Sequence, residues 1–293
     1  MKKIPLESKI LSLSHNDMDG VGAQIILGAI YKNITYICIK YQEIDKVLSG
    51  MNCDEYDYVF LTDITPSKHE LLDKFNNVIV IDHHENMENN PSKKVFINRK
   101  HSATKLVKHF MEKMYDVELS DYDDFVKYVN DYDTWTLKYK GAKRMNLLYT
   151  YYSEDKFRNR FKSGNMKLTD KEKNYILESE KKFEELYENL EIIEFEKING
   201  CVFYHDEVIN ELAYRLMKEE GYKIVLINTT KNYNLSLRSS LDDFNFGKYL
   251  REKGWGGGHK QAAGIKCENE KELTEILIAI EKDLYKRIPS IRK

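Results

Sequence analysis

Four short polar clusters hold the residues of this 293-residue chain that could do chemistry. They are His15-Asn16-Asp17-Met18-Asp19-Gly20, the single Asp63 that closes YVFLTD, Asp82-His83-His84 at the end of VIVID, and Asp131-Tyr132-Asp133-Thr134-Trp135. An aspartate after a strand is often only a turn former or the N-cap of the next helix, and two adjacent histidines can be plain surface residues. Number and position weigh against that reading, because nearly all of these residues fall where a strand is predicted to end. If they converge, so many carboxylates in one crevice repel one another and raise each other's pKa values unless cations neutralise them. The donors are oxygen and nitrogen with no thiolate, which favours manganese or magnesium over a structural zinc site, and mixed His and Asp ligation leans to manganese. A tight His15-x-Asp17-x-Asp19 loop can point alternate side chains into one pocket and serve two neighbouring ions. Two ions roughly 3.5–4 Å apart, bridged by a shared carboxylate and a hydroxide, are suited to in-line attack on phosphorus. Hydrolysis of a phosphoester is the chemistry this donor set predicts.

A second set lies near the C-terminus: Arg238 within SLRSS and the glycine-rich run from Gly254 to Gly264. The backbone N–H groups of Gly257 and Gly258 can approach an anion closely, and His259 with Arg238 would add charge-assisted contacts to phosphate. Alone, such a run is as well explained by a turn between an amphipathic helix and a strand. Beside a metal crevice it reads as the far wall of an interdomain substrate cleft.

Positioning these groups requires strands. Up to about Trp135 the chain alternates β-branched runs with helix-like segments, which predicts parallel strands joined by crossover helices. The predicted strands are Ile10–Ser14, Ile34–Lys40, Tyr58–Thr62 and Val78–Asp82; the predicted helices are Val21–Tyr31, Lys68–Phe75 and Ser102–Tyr115. In open parallel sheets the ligand crevice lies beyond the carboxyl ends of the strands, where the four clusters fall. Charge-rich helical sequence follows, and then a second alternating unit with strands at Cys201–His205, Lys223–Asn228 and Tyr233–Ser239 and helices at Glu207–Glu219 and Lys271–Leu284. The expected organisation is an α/β protein: a parallel-sheet catalytic domain over 1–136, a helical linker over 137–196, and a smaller α/β substrate-binding domain over 197–293.

Composition sets further bounds. With 42% hydrophobic and 32% charged residues the chain has material for a core under a well-solvated surface. Lys+Arg 46 against Asp+Glu 48 gives a net charge of -2, so the basic excess expected of a long-duplex binder is missing and any nucleic-acid contact must be local. The longest apolar stretch, Val21–Ile30, is too short for a membrane span, and MKKIPLESKI has no apolar run typical of a secretory signal. A cytoplasmic location is expected, which suits the four cysteines Cys38, Cys53, Cys201 and Cys267, well separated and without a C-x-x-C, as reduced thiols. Tyr149, Tyr151 and Tyr152 near Lys138, Lys140, Lys143 and Arg144 could stack bases, although packing of a helical linker explains them better.

SHNDMDGVG, the strand-end Asp63, DHH at Asp82–His84 and the aspartate of DYDTW resemble the four motifs of the DHH phosphoesterase superfamily, and GGGHKQAAG resembles the motif of the DHH-associated C-terminal domain. The motifs run from residue 15 to residue 264, nearly the whole chain. The resemblance implies that His15 and Asp17 bind one manganese ion, that Asp19, His83 and Asp133 bind the other, and that Asp63 bridges them. It further implies that Asp82 orients the site, that His84 contacts or protonates the scissile phosphate, and that Arg238 and His259 hold the substrate's phosphate or terminal nucleotide. Asp133 is preferred to Asp131 because family members commonly have Asp followed by Thr there; Asp131 stays open. RecJ-type exonucleases carry further domains for which this length has no room, family II pyrophosphatases lack the GGGH loop, and sensor-linked cyclic-dinucleotide phosphodiesterases carry membrane segments. What remains resembles the oligoribonucleases, or nanoRNases, of the nanoRNase B type. That implies manganese-dependent hydrolysis of short single-stranded oligonucleotides to nucleoside 5′-monophosphates, without long duplexes or membranes as partners. The alternatives are a phosphatase or phosphodiesterase acting on 3′-phosphoadenosine 5′-phosphate or on a linear dinucleotide, and a non-catalytic nucleotide sensor. A homodimer is left open.

Overall fold

The β-branched runs of the first half assemble into one sheet whose strands end at the predicted clusters. In the computed structural model, which describes residues 3–75, 77–84, 94–229 and 233–293, the chain divides into two units, Met1–Glu180 and Lys181–Lys293. The first contains β1 (Ile10–His15), β2 (Ile34–Ile39), β3 (Tyr58–Thr62), β4 (Val78–Asp82) and β5 (Val95–Ile97). All neighbours pair in parallel, in the order β2-β1-β3-β4-β5. The order reverses between β1 and β3, and at such a switch point the strand ends leave a crevice for a ligand.

Side chains alternate between the two faces with a period of two, so one apolar run serves two cores. Phe60, Ile79 and Ile81 join the core built with α1 (Met18–Ile30), while Val59, Leu61, Val78 and Val80 join the one covered by α2 (Ile44–Gly50). The segment at 68–75, expected as a helix, forms a 3₁₀ turn at His69–Lys74; so short a segment does not repay the nucleation of an α-helix. The α1 face also receives α3 (Ala103–Tyr115) and α4 (Asp123–Asp133). It takes in addition α5 (Lys140–Tyr152), α6 (Glu154–Phe161) and the start of α7 (Asp170–Glu188).

The stretch 137–196, expected as a linker, therefore divides. Met145, Leu148, Phe157, Phe161 and Ile176 are buried in the core of the first unit, whereas Phe183, Leu186, Tyr187 and Leu190 pack on that of the second. Charge interleaving hid this, because the apolar positions are few and widely spaced along solvated helices. Glu172, completely buried, locks the arrangement: it accepts from Arg160 Nε at 2.6 Å, Arg160 Nη2 at 3.2 Å, Thr169 N at 2.6 Å and the Tyr152 hydroxyl at 3.0 Å. Burial pushes its carboxyl up, but these donors, Arg160 foremost, hold it below the usual range. Glu172→Ala leaves Arg160 without its counter-charge, and breaking such a pair costs about 3 kcal/mol. Denaturant unfolding should show that loss, and a change below about 1 kcal/mol would mean the pair is dispensable.

The second unit holds β6 (Ile192–Glu194), β7 (Gly200–Tyr204), β8 (Ile224–Asn228), β9 (Leu235–Ser239), β10 (Gly256–Gly258) and β11 (Ala262–Ile265). Their order is β10-β11-β9-β8-β7-β6, and β7–β8 is the parallel pair. Helices α8 (Ile209–Arg215), α9 (Phe246–Lys253) and α10 (Glu270–Arg287) cover it. The start of α9 lies so close to β10 that a Cβ on Gly247 would come within 1.9 Å of the Gly258 carbonyl oxygen. Among the described residues no helix is long and apolar enough to cross a membrane.

Candidate metal centre

The centre is built from strand ends. Strand β1 stops at His15, and Asp17 caps α1 by accepting from Gly20 N at 2.9 Å through Oδ1. Its Oδ2 lies 2.8 Å from His15 Nδ1. Gly20 is required there, because a Cβ would sit 2.1 Å from the His15 carbonyl oxygen. Asp19, in the first turn of α1, accepts from Ala103 N at 2.6 Å and Thr104 N at 2.9 Å, so the N-terminus of α3 fixes its orientation. Asp63 follows β3 with φ of 60°, a left-handed conformation that an aspartate tolerates at a cost of about 1 kcal/mol. Asp82 ends β4 and Asp133 ends α4.

These positions bring the predicted residues of the first unit together. His15, Asp17 and Asp63 place one donor atom each within 4.8 Å of one another, as do Asp19, His83 and Asp133, and as do Asp63, Asp82, His83 and His84. Asp63 joins the groups: its Oδ2 is 3.8 Å from His15 Nδ1 and its Oδ1 is 3.1 Å from His83 Nε2. His83 Nε2 is also 3.8 Å from Asp19 Oδ2 and 3.6 Å from Asp133 Oδ2. Asp82 stands behind, its Oδ1 accepting from His83 N at 2.7 Å and lying 2.8 Å from His84 Nδ1.

Electrostatics shows what the cluster calls for. Burial first, and then the neighbouring aspartates, drive Asp63 well above the usual carboxylate range and push Asp133 up to about 9. Asp19 is raised by burial as well. Asp17 and Asp82 are pushed up by burial too, but hydrogen bonds from His15 and His84 respectively leave both below their ordinary value. Asp63 Oδ2, Asp82 Oδ2 and Asp133 Oδ2 are buried without a hydrogen-bond partner, an expensive state for a charged oxygen. Oxygen and imidazole donors with orphaned carboxylate oxygens and no thiolate fit hard divalent cations.

Asp131 and Asp133 take different roles. The Asp131 carboxylate accepts from Lys138 N at 3.0 Å and Tyr139 N at 2.8 Å, while its carbonyl accepts from Thr136 N and Leu137 N. It staples the turn after α4, which leaves Asp133 to face His83. Sequence reasoning missed Tyr41, whose hydroxyl donates to the Asp63 carbonyl at 3.1 Å and lies 2.7 Å from His84 Nε2. Tyr149, read from sequence for base stacking or linker packing, donates to the Asn16 carbonyl at 2.9 Å, a contact that spacing did not signal. The signal for α3 holding Asp19 was present in the capping residue Ser102, which accepts from Lys105 N.

The family model for the DHH family N-terminal domain matches residues 9–130, and that for the DHHA1 domain matches residues 198–286. The chain belongs to the DHH superfamily of phosphoesterases. No curated protein sequence matches it with significance. Among solved structures it is similar to PggH, a pGpG-specific phosphodiesterase from Vibrio cholerae, at 15% identity and a TM-score of 0.61, covering 97% of this chain and 100% of that one. An exopolyphosphatase-related protein from Bacteroides fragilis is 14% identical with a TM-score of 0.57, covering 95% of this chain and 93% of that one. RecJ from Thermus thermophilus in complex with Mg2+ is 14% identical with a TM-score of 0.56; 97% of this chain matches 50% of RecJ. At these identities the likeness is one of fold.

In the DHHA1 half, the predicted glycine-rich loop is partly a strand. Gly257 and Gly258 belong to β10, opposite Gly264 and Ala263, and Gly258 has φ of 148°, a backbone that a side chain would strain. As an edge strand β10 leaves one row of backbone groups unpaired by the sheet. The His259 side chain is exposed, while the residue's backbone N–H donates to the Ala262 carbonyl at 2.8 Å. Arg238, on β9 opposite Ala262, is aimed by Asn210, whose Oδ1 accepts from Nε at 3.0 Å and Nη2 at 2.7 Å. Arg238 and His259 thus both lie beside Ala262, and among the described residues a neutral amide and the Leu237 carbonyl, rather than a carboxylate, hold the guanidinium.

Proposed function

We propose that this DHH phosphoesterase is a manganese-dependent phosphodiesterase that hydrolyses oligonucleotides a few nucleotides long to nucleoside 5′-monophosphates. The observation that carries the reading is the pair of donor groups, His15-Asp17-Asp63 and Asp19-His83-Asp133, joined by Asp63 at the β1/β3 switch point. His15 and Asp17 would hold one ion, Asp19, His83 and Asp133 the other, and Asp63 both. Two divalent cations held there supply an activated water as nucleophile near neutral pH and neutralise the charge gathering on phosphorus.

The rest falls to the side chains. His84, 3.8 Å from Asp63 and braced by Asp82, lies at the edge of the donor set; burial lowers its pKa but Asp82 raises it more, so the ring holds a proton that it can donate to a phosphate oxygen. Arg238 and His259, with the backbone of Gly257 and Gly258, are assigned to the substrate's phosphate or terminal nucleotide. A net charge of -2 favours substrates with few phosphates and no long duplex. PggH, pGpG-specific, supports a dinucleotide as the smallest good substrate, and the Mg2+ bound to RecJ leaves magnesium as the alternative ion.

The test is a panel of labelled RNA and DNA from dimers to long oligomers, together with pGpG and 3′-phosphoadenosine 5′-phosphate, assayed with Mn2+ and with Mg2+. We expect rates highest for two to five nucleotides and at least about tenfold lower beyond ten, a difference of roughly 1.4 kcal/mol in barrier. Equal rates at every length would refute the short-substrate preference, and hydrolysis of the bisphosphate alone would move the activity to small nucleotides.

A further inference from the structure

Tyr41 stands outside every motif, yet its side chain touches three of the residues gathered at the strand ends. It follows β2, the edge strand, and so reaches the centre from the far side of β1. Its ring packs on the His15 imidazole, with centroids 4.3 Å apart and planes at 41°. Against His84 the rings meet edge to face at 5.1 Å and 77°. The hydroxyl donates to the Asp63 carbonyl at 3.1 Å and lies 2.8 and 2.7 Å from the two ring nitrogens of His84.

Asp63 is the residue that most needs such support. Its carboxylate faces both donor groups, and its backbone sits in the left-handed region, at φ of 60°. Its amide donates to the Ile81 carbonyl at 3.1 Å, and the Tyr41 bond ties the carbonyl on the other side, so both flanking peptide groups are fixed. A rotation of either peptide would swing the carboxylate away from one group of ligands.

We infer that Tyr41 is a positioning residue of the metal centre, its hydroxyl fixing the backbone from which Asp63 presents its carboxylate and its ring seating His15 and His84. The inference rests on the proposed metal centre and adds to it a residue that binds no ion. Partners of ligands at this remove typically change metal affinity or activity by about 10- to 100-fold. A tyrosine that merely fills space would change the melting temperature and leave metal affinity alone.

The experiment uses the full chain, stripped with chelator and titrated with Mn2+ alone by calorimetry, for the wild type, Tyr41→Phe, Tyr41→Leu and Asp63→Asn. Melting of the stripped proteins and turnover of a dinucleotide are measured alongside. Tyr41→Phe should raise the Mn2+ Kd about tenfold or more and lower kcat by a similar factor, with KM nearly unchanged and the stripped protein melting as wild type does. Tyr41→Leu, which also gives up the packing on His15, should lose more. Wild-type Mn2+ affinity and kcat in Tyr41→Phe, with both lost in Asp63→Asn, would overturn the role of Tyr41 and spare the metal centre. Affinity lost only in step with a lower melting temperature would overturn it equally. Wild-type Mn2+ binding by Asp63→Asn would instead overturn the metal centre itself.

Discussion

Asp63→Asn should remove catalysis and at the same time make the metal-free protein more stable. Asn preserves the shape of the side chain and tolerates the left-handed backbone, so the change is one of charge. Asp63 is the residue that both donor groups share through its two oxygens, and losing it costs on the order of 4 kcal/mol of transition-state stabilisation, about a thousandfold in kcat. Without metal the same carboxylate is a liability, since burial and Asp17, Asp19, Asp133 and Asp82 all oppose its charge. Its removal should therefore stabilise the stripped protein. Denaturant unfolding after chelation, paired with a turnover assay, checks both signs. A variant that keeps turnover within tenfold, or that is less stable than the wild type when stripped, would contradict the assignment.

Chelation should also give the protein an unusual pH dependence. Asp19, Asp63 and Asp133 are raised, the last to about 9. The folded chain then keeps protons that the unfolded chain releases near pH 4, so their contribution is complete below that pH and is lost as pH rises toward 9. Asp17 and Asp82, depressed by hydrogen bonds from His15 and His84 against the effect of burial, act oppositely, but only as pH falls below the carboxylate range. Between these limits His83, lowered by burial, and His84, raised by Asp82 despite burial, pull in opposite directions. The stripped protein should melt progressively lower from pH 5 to pH 9, and a divalent ion at a thousand times its Kd should restore about 4 kcal/mol at pH 8. The restoration should shrink at pH 5, where protons compete for the same oxygens. A stripped protein that gains stability across this range, or a metal effect independent of pH, would show that these carboxylates do not bind the ion.

Much of the first unit was legible because its strands are short apolar runs that stop at a polar residue. Tyr58–Thr62 and Val78–Asp82 are the observed limits of β3 and β4, and a strand buried on both faces has no reason to tolerate Asp63, Asp82 or His83 except at its end. The second unit was harder to read. The strands β10 and β11 are glycine- and alanine-rich, with little apolar surface to signal a sheet, and exist because β9 pairs with β11 across the intervening helix α9. The helices α5 and α6 read as a linker because their buried faces are narrow, and only contact with α1 and α4 gives Met145 and Phe157 a core to enter.

By itself, then, the sequence determined the kinds of donor available and their places at strand ends, since both follow from local alternation of apolar and polar residues. Tertiary structure decided which donors meet. Asp131 and Asp133 are two residues apart on α4, roughly 200° around the helix axis, so the docked helix turns Asp133, which the family resemblance preferred, toward His83, and Asp131, which it left open, toward the Lys138 and Tyr139 amides. The backbone amides that hold Asp19 lie 84 and 85 residues away, and Tyr41 reaches Asp63 from an edge strand that carries no motif. Such contacts are set by strand order and helix docking, which bring together residues that no local spacing relates.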